Sequence, residues 1–198
     1  MLIDYDNSSL VIDQLCDEAV EGHATAVCFY FDFAARNEQS PVNMLGSLLR
    51  QLVSGEEEIP EAIARDFRND KRAIGGRGLQ VPRILKMFQT ITAMRRTFIC
   101  IDALDECVPE HRIVVLKSLS QILQASPNSR LFITGRPDVR SEVDRELGGA
   151  AFLSLRATED GVHRFLRGKL RNDIISNIMS STLEQDIMKS IPAISSET

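Results

Sequence analysis

The sequence predicts an α/β domain, a parallel sheet with helices on both faces. Three observations carry that expectation. Short runs rich in β-branched and aromatic residues alternate with longer stretches whose apolar residues recur every three or four positions. Thr97–Asp102 (Thr-Phe-Ile-Cys-Ile-Asp) is a short apolar run that passes straight into three carboxylates, Asp102, Asp105 and Glu106; buried central strands of parallel sheets read this way. Arg130–Thr134 repeats the layout, with Gly135, Arg136 and Pro137 at its carboxyl end. Open α/β sheets bind ligands beyond the carboxyl ends of their strands, so both ends point to a crevice.

In chain order, Leu10, Val11, Leu15, Cys16 and Ala19 form the apolar stripe of a first helix that begins at Ser8 and ends near Gly22. Ala24–Phe33 is almost unbroken in apolar and aromatic residues and is read as a strand buried on both faces. Pro41 suits the first turn of a helix, Val42, Leu45, Leu48, Leu49 and Leu52 mark its inner face, and Gly55 stops it. A short helix is expected near Ile59–Phe67. The cluster Gly75, Gly76, Gly78 follows a helix and lacks a trailing Lys-Ser/Thr, so it is read as a connector and not as a phosphate cradle. Helices are expected over Leu79–Met94 and Glu110–Ala125, the second broken by Pro127 and Asn128. Asp138–Leu147 reads as a short helix, Ala151–Leu155 as a fourth strand, and Thr158–Lys169 and Leu183–Ile191 as helical.

The totals exclude several classes. With 28 acidic against 23 basic residues and a formal charge of -5, no broad basic face is available for nucleic acid or an anionic membrane. No apolar run approaches the roughly 18 residues of a membrane span. Cys16, Cys28, Cys100 and Cys107 show no CxxC spacing, and His23, His111 and His163 are scattered among them, so zinc is not expected and a reduced, cytoplasmic protein is the simplest account.

Acids at the end of a strand can hold Mg²⁺ through water and orient an attacking water. A solvated acidic turn gives the same sequence. The order of an acidic strand, a helix and a strand ending in Thr-Gly-Arg-Pro resembles a NACHT domain of the signal-transduction P-loop NTPases, and more narrowly the nephrocystin-like amino-terminal domains of fungal NLR-type proteins. Ser8–Leu15, Phe29–Phe33, Met44–Leu52, Phe98–Glu106 and Leu131–Pro137 carry the resemblance, in the family's order and across most of the chain. It implies a P-loop NTPase-like sheet and Mg-ATP or Mg-GTP as cofactor. By the same resemblance Asp102 is the Mg²⁺-coordinating acid of the Walker B motif. Asp105 and Glu106 are the acids that act on the attacking water, and Arg136 senses the terminal phosphate. Two plainer roles stand beside these: Asp105 capping the segment that follows, and Arg136 pairing with a surface acid such as Asp138.

The chain departs from the pattern at its start. No G-x-x-x-x-G-K-[ST] occurs in its 198 residues, and the family's lysine and threonine fall near Asp4 and Tyr5. Without them there is no nest of backbone N–H groups for phosphate, no lysine for its charge and no hydroxyl for the metal. The family's P-loop strand lies between the strands expected at Leu131–Thr134 and Ala151–Leu155, so its loss predicts two unpaired edges and marginal stability. Residues 1–170 are thus read as a partial NACHT domain, and 171–198 as the start of a helical segment that family members continue past Ile191 and Pro192.

Three readings follow from the resemblance and its gap. The first is a truncated signalling NTPase module unable to bind nucleotide alone. The second is an active ATP- or GTP-driven oligomerisation switch whose P-loop is encoded upstream. The third is a nucleotide-independent interaction or decoy module, self-associating or pairing with full-length NLR-like proteins through exposed sheet edges, with neither nucleic acid nor membrane as a partner.

Overall fold

The computed structural model describes residues 5–21, 24–55, 59, 61, 63–65, 80–93, 95–154, 159–172 and 181–196. The chain divides into two compact units, Asn7–Ala150 and Ala151–Thr198 with Met1–Asp6.

The larger unit is an α/β fold. Its sheet has three parallel strands in the order β1 (Thr25–Tyr30), β2 (Thr97–Asp102), β3 (Ser129–Ile133). The register pairs Cys28 with Cys100 and Cys100 with Phe132. The central strand β2 is buried at all six positions. α2 (Pro41–Ser54) and α3 (Val81–Thr92) lie between β1 and β2 in sequence, and α4 (Pro109–Ala125) lies between β2 and β3. Each opens with proline in its first turn, where a missing N–H costs nothing. Ser40 caps α2 by accepting the Asn43 N–H at 3.2 Å, which satisfies one orphan donor.

Alternation along the strands sorts the sheet into two unequal faces. Val27, Ile99 and Ile101 point into the main core with Met44, Leu45 and Leu48 of α2, Phe88 of α3 and Leu116 of α4, and Leu131 and Ile133 pack against it. Each such side chain contributes about 1.5–3 kcal/mol by leaving water. Cys28, Phe98, Cys100 and Phe132 alternate to the other face, where α1 (Tyr5–Glu21) sets Val11 and Leu15 beside Phe98 and Phe132 around a cavity of about 250 Å³. α5 (Arg140–Leu147) packs on α4.

β1 corrects two expectations. It is not buried on both faces, because it is the edge strand: Val27 is its one fully buried residue and Tyr30 is half exposed. It also ends at Tyr30, since Asp32 turns its carboxylate onto the Ala34 N–H (2.8 Å) and starts a 3₁₀ turn at Phe33–Ala35. Nor is its outer edge bare. The Gln51 amide of α2 accepts the Cys28 N–H at 2.9 Å and donates to the Cys28 carbonyl at 2.8 Å. Gln39 accepts the Asp32 N–H at 3.0 Å and donates to the Tyr30 carbonyl at 3.4 Å. Two side-chain amides therefore stand where a further strand would pair. β3 has no second strand neighbour among the described residues.

The fourth strand expected at Ala151–Leu155 does not form over the described residues 151–154, which are exposed and belong to no strand. β-propensity is set by packing and pairing more than by composition, so a run of strand-like residues alone does not fix a strand. Of the helix expected near Ile59–Phe67, residues 61 and 63–65 are helical and Ile63 is buried; the remainder, and the Gly75, Gly76, Gly78 connector, lie outside the described residues. In the smaller unit α6 (Glu159–Asn172) and α7 (Ser181–Ser196) pack on each other. No helix among the described residues is long and apolar enough to cross a membrane.

The Gln51 seal gives a direct expectation. Gln51→Ala removes two hydrogen bonds and should lower unfolding free energy by about 1–2 kcal/mol, at about 1 kcal/mol for each bond. Urea unfolding with light scattering on the same samples measures both the loss and any edge-to-edge association. A variant as stable and as monodisperse as the parent contradicts the assigned role.

Candidate functional site

The carboxyl ends of the three strands carry a loop that the sequence makes necessary. β2 is buried to its last residue, so the chain must leave the sheet abruptly at Asp102. It does so through Ala103, whose φ of 53° and ψ of 48° place it in the left-handed region, at a cost of roughly 1–2 kcal/mol for a residue with a Cβ. Leu104–Glu106 then form one 3₁₀ turn, and Pro109 starts α4.

Thr134, the residue after β3, holds this exit. Its hydroxyl donates to Asp102 Oδ1 and accepts the Ala103 N–H at 3.0 Å. Its backbone N–H donates to the Ile101 carbonyl, and its carbonyl accepts the Leu104 N–H, both at 2.9 Å. Asp102 is 6% exposed, and a carboxylate so far from water needs such a donor.

The other two acids are also held by the protein. Asp105 accepts the Arg136 N–H at Oδ1 and faces the Arg136 Nε from Oδ2, both at 3.2 Å. Glu106 Oε2 accepts the Phe33 N–H at 2.9 Å. Asp105 thus ties the loop to the end of β3, and Glu106 ties it to the end of β1. Gly135 sits where a Cβ would come within 3.1 Å of Val139 Cγ2 and 3.5 Å of Asp105, so the Thr-Gly-Arg turn is close-packed against the acid loop. In the plainer role open to Arg136, pairing with an acid, the partner is Asp105 and not Asp138. Asp105 does not cap α4 either, whose N-cap is Val108 with no side-chain bond.

Beneath the turn, Arg112 of α4 meets Glu142 of α5 at 3.1 Å, with side chains 8% and 25% exposed. The pair fixes α5, and with it the loop that presents Arg136. Burial pushes the neighbouring Cys107 thiol up to about 11. Above the loop, Phe33 is exposed and carries the Arg36 guanidinium 4.4 Å over its ring, a cation–π contact.

The structure therefore brings together all four residues singled out in the sequence: Asp102, Asp105, Glu106 and Arg136. Sequence reasoning missed Thr134, Ala103, Gly135 and the Arg112–Glu142 pair. Thr134 carried a signal, since it closes the Arg-Leu-Phe-Ile-Thr run at the end facing the acids; the others depend on contacts between distant segments. Among the described residues no group of three or more His, Cys, Asp or Glu side chains is arranged to hold a metal ion.

Compared with known families, residues 7–136 match the family described as "Nephrocystin 3, N-terminal", about two thirds of the chain. The matched span contains α2, α3, α4, the three strands and all four site residues, and it ends at Arg136. No curated protein and no solved structure matches the chain.

The Thr134 hydroxyl serves a buried carboxylate and a strained N–H together. Thr134→Val, which keeps the shape and removes the oxygen, should cost about 2–3 kcal/mol in urea unfolding, whereas Thr134→Ser should stay within about 1 kcal/mol of the parent. Equal losses in the two variants would show that the hydroxyl is not what holds the exit.

Proposed function

The chain belongs to the nephrocystin 3 N-terminal family, and from that premise we propose that it is a signalling module derived from a nucleotide-driven oligomerisation switch, with an acid loop that serves as a latch instead of a catalytic centre. One observation carries the reading. Asp105, expected to act on the attacking water, and Arg136, expected to sense the terminal phosphate, meet each other.

The fit to Mg-ATP or Mg-GTP supports it. A Walker B centre needs carboxylate oxygens turned toward the metal and its water, and a phosphate cradle opposite. Here Asp102 receives the Thr134 hydroxyl, Asp105 uses both oxygens on Arg136, and Glu106 receives the Phe33 N–H. The 198 residues contain no P-loop lysine motif to supply the cradle. As arranged, these residues do not fit the group, and no catalytic step is assigned to them. In this reading the protein works in the cytoplasm through contacts with its own kind or with full-length NLR-like proteins. Gln51 and Gln39 occupy the β1 edge, which leaves β3, with no second strand neighbour among the described residues, as the edge for such contacts.

A second reading has one observation in its favour. The Arg136 side chain is 56% exposed while its partner Asp105 is 10% exposed, so the guanidinium is open to solvent on the side away from the acid. A phosphate brought in with a P-loop from another segment would reach Arg136 from that open side, and the loop would become a working switch.

Titration of the 198-residue chain with Mg-ATP and with Mg-GTP separates the readings. The latch predicts no binding at micromolar nucleotide, and an Asp102→Asn variant that loses stability without any nucleotide-dependent effect. Micromolar binding that is abolished by Asp102→Asn or weakened by Arg136→Ala would establish the switch and overturn the latch.

A further inference from the structure

α3 and α4 pack against each other over the main core, and between them opens a groove of about 350 Å³. Its lining recurs at intervals of three and four residues, Val81, Leu85 and Gln89 on α3 and Val114, Ser118 and Gln121 on α4. The groove therefore follows both helices for about two turns, roughly 12 Å at 1.5 Å per residue. Ser118 adds no free donor to it, because its hydroxyl donates to the Val114 carbonyl at 2.7 Å. Val114 is 40% exposed and its neighbour Ile113 38%, and Pro82 in the first turn of α3 is exposed as well. Apolar side chains held together in the open and rimmed by polar ones are the pattern of an interaction site. Lys86 from one wall and Lys117 from the other are exposed and are the charged residues of the lining, and no carboxylate lines the groove among the described residues.

We propose that this groove is a docking site for an amphipathic helix of a partner protein, one that carries carboxylates on both flanks of its apolar stripe. Backbone chemistry selects a helix. The walls are helices whose N–H and C=O groups bond within each helix, so an extended peptide laid between them finds no ladder. A helix arrives with its own backbone satisfied and offers side chains at the same three- and four-residue spacing as the lining. Charge selects the sign. A lysine on a groove wall lays its methylene stem toward the apolar floor and keeps its ammonium group in water. With one lysine on each wall, carboxylates on both flanks of the incoming stripe each meet an opposite charge, whereas a basic helix meets like charge twice. The chain as a whole carries -5, so an acidic partner is repelled over most of the surface and drawn to this basic spot.

The groove is separate from the surfaces already assigned. The acid loop stands at the carboxyl ends of the strands and the open edge belongs to β3, and neither contributes a residue to the lining. Docking here is therefore independent of whether the chain binds nucleotide. A seat of two turns takes only two or three apolar side chains from the partner, so the contact is of the weak, reversible kind.

The test uses the purified 198-residue chain and three end-capped, fluorescein-labelled peptides of about 15 residues, long enough to form a helix in water. The first carries leucines at three- and four-residue spacing with glutamates on both flanks. The second has lysines in place of the glutamates, and the third keeps the glutamates and has serines in place of the leucines. Fluorescence anisotropy is expected to show saturable, micromolar binding of the first peptide, with the other two weaker by about tenfold or more. Lys86→Glu and Lys117→Glu should each weaken binding of the first peptide by about fivefold or more. Val114→Asp should abolish it. All three side chains are exposed, so the circular dichroism spectrum and the urea midpoint are expected to stay unchanged. Binding that ignores the three substitutions, equal binding of the lysine peptide, or no binding of any peptide at millimolar concentration overturns the proposal. So does self-association of the free chain, seen by light scattering, that Val114→Asp removes, since that result gives the groove to a second copy.

Discussion

The hydrogen bond from Thr134 to Asp102 is the interaction on which the rest of the larger unit depends. A strand buried at every position has to end somewhere, and β2 ends on a carboxylate that is 6% exposed. An unpartnered charge there would cost several kcal/mol. Thr134 answers that demand and, with the same oxygen, receives the N–H of the left-handed Ala103. The exit of β2 is thereby fixed to the exit of β3. Once it is fixed, Asp105 falls beside Arg136 and Glu106 beside the Phe33 N–H, and the carboxyl ends of all three strands become one joined surface. The three acids are each held by a group at the end of a neighbouring strand: Asp102 by Thr134, Asp105 by Arg136 and Glu106 by the Phe33 N–H.

The same economy explains how three strands hold a core. One face of the sheet carries nearly all of the large buried side chains, from α2, α3 and α4, and these come from helices whose apolar residues repeat at three and four. On the other face, among the described residues, α1 sets Val11 and Leu15 beside Phe98 and Phe132 around the cavity. Gln51 belongs to the first layer by position and to the sheet by function, since its amide reaches past the helix to the backbone of β1. An edge closed by a side chain costs no extra strand and still leaves no open N–H and C=O pair at Cys28.

Much of this was legible in the sequence. Helices α2, α3 and α4 are announced by their apolar stripes, α2 also by Pro41 at its start, and β2 by its unbroken run into acids. The meeting of Asp102, Asp105, Glu106 and Arg136 follows from strand order alone, because carboxyl ends of parallel strands share one rim. What failed to show were facts of adjacency. β1 has the composition of a central strand, and only its place in the sheet makes it an edge. Ala151–Leu155 has strand composition too, yet its described residues find no ladder. Arg136 had two acids within reach in the sequence, and the αL turn at Ala103 decides for Asp105 by swinging it toward Gly135. Cys28 and Cys100 are 72 residues apart, so no spacing rule could bring them together; the register does.

The claim that the acids serve the fold is tested most directly by amide hydrogen exchange at Phe33, Ala103 and Arg136, whose N–H groups donate to Glu106, Thr134 and Asp105. Exchange is measured on the 198-residue chain with and without Mg-ATP in excess. The account predicts that all three amides are protected in the free protein and that nucleotide leaves them unchanged. Fast exchange at these amides, with protection appearing only when Mg-ATP is added, contradicts it.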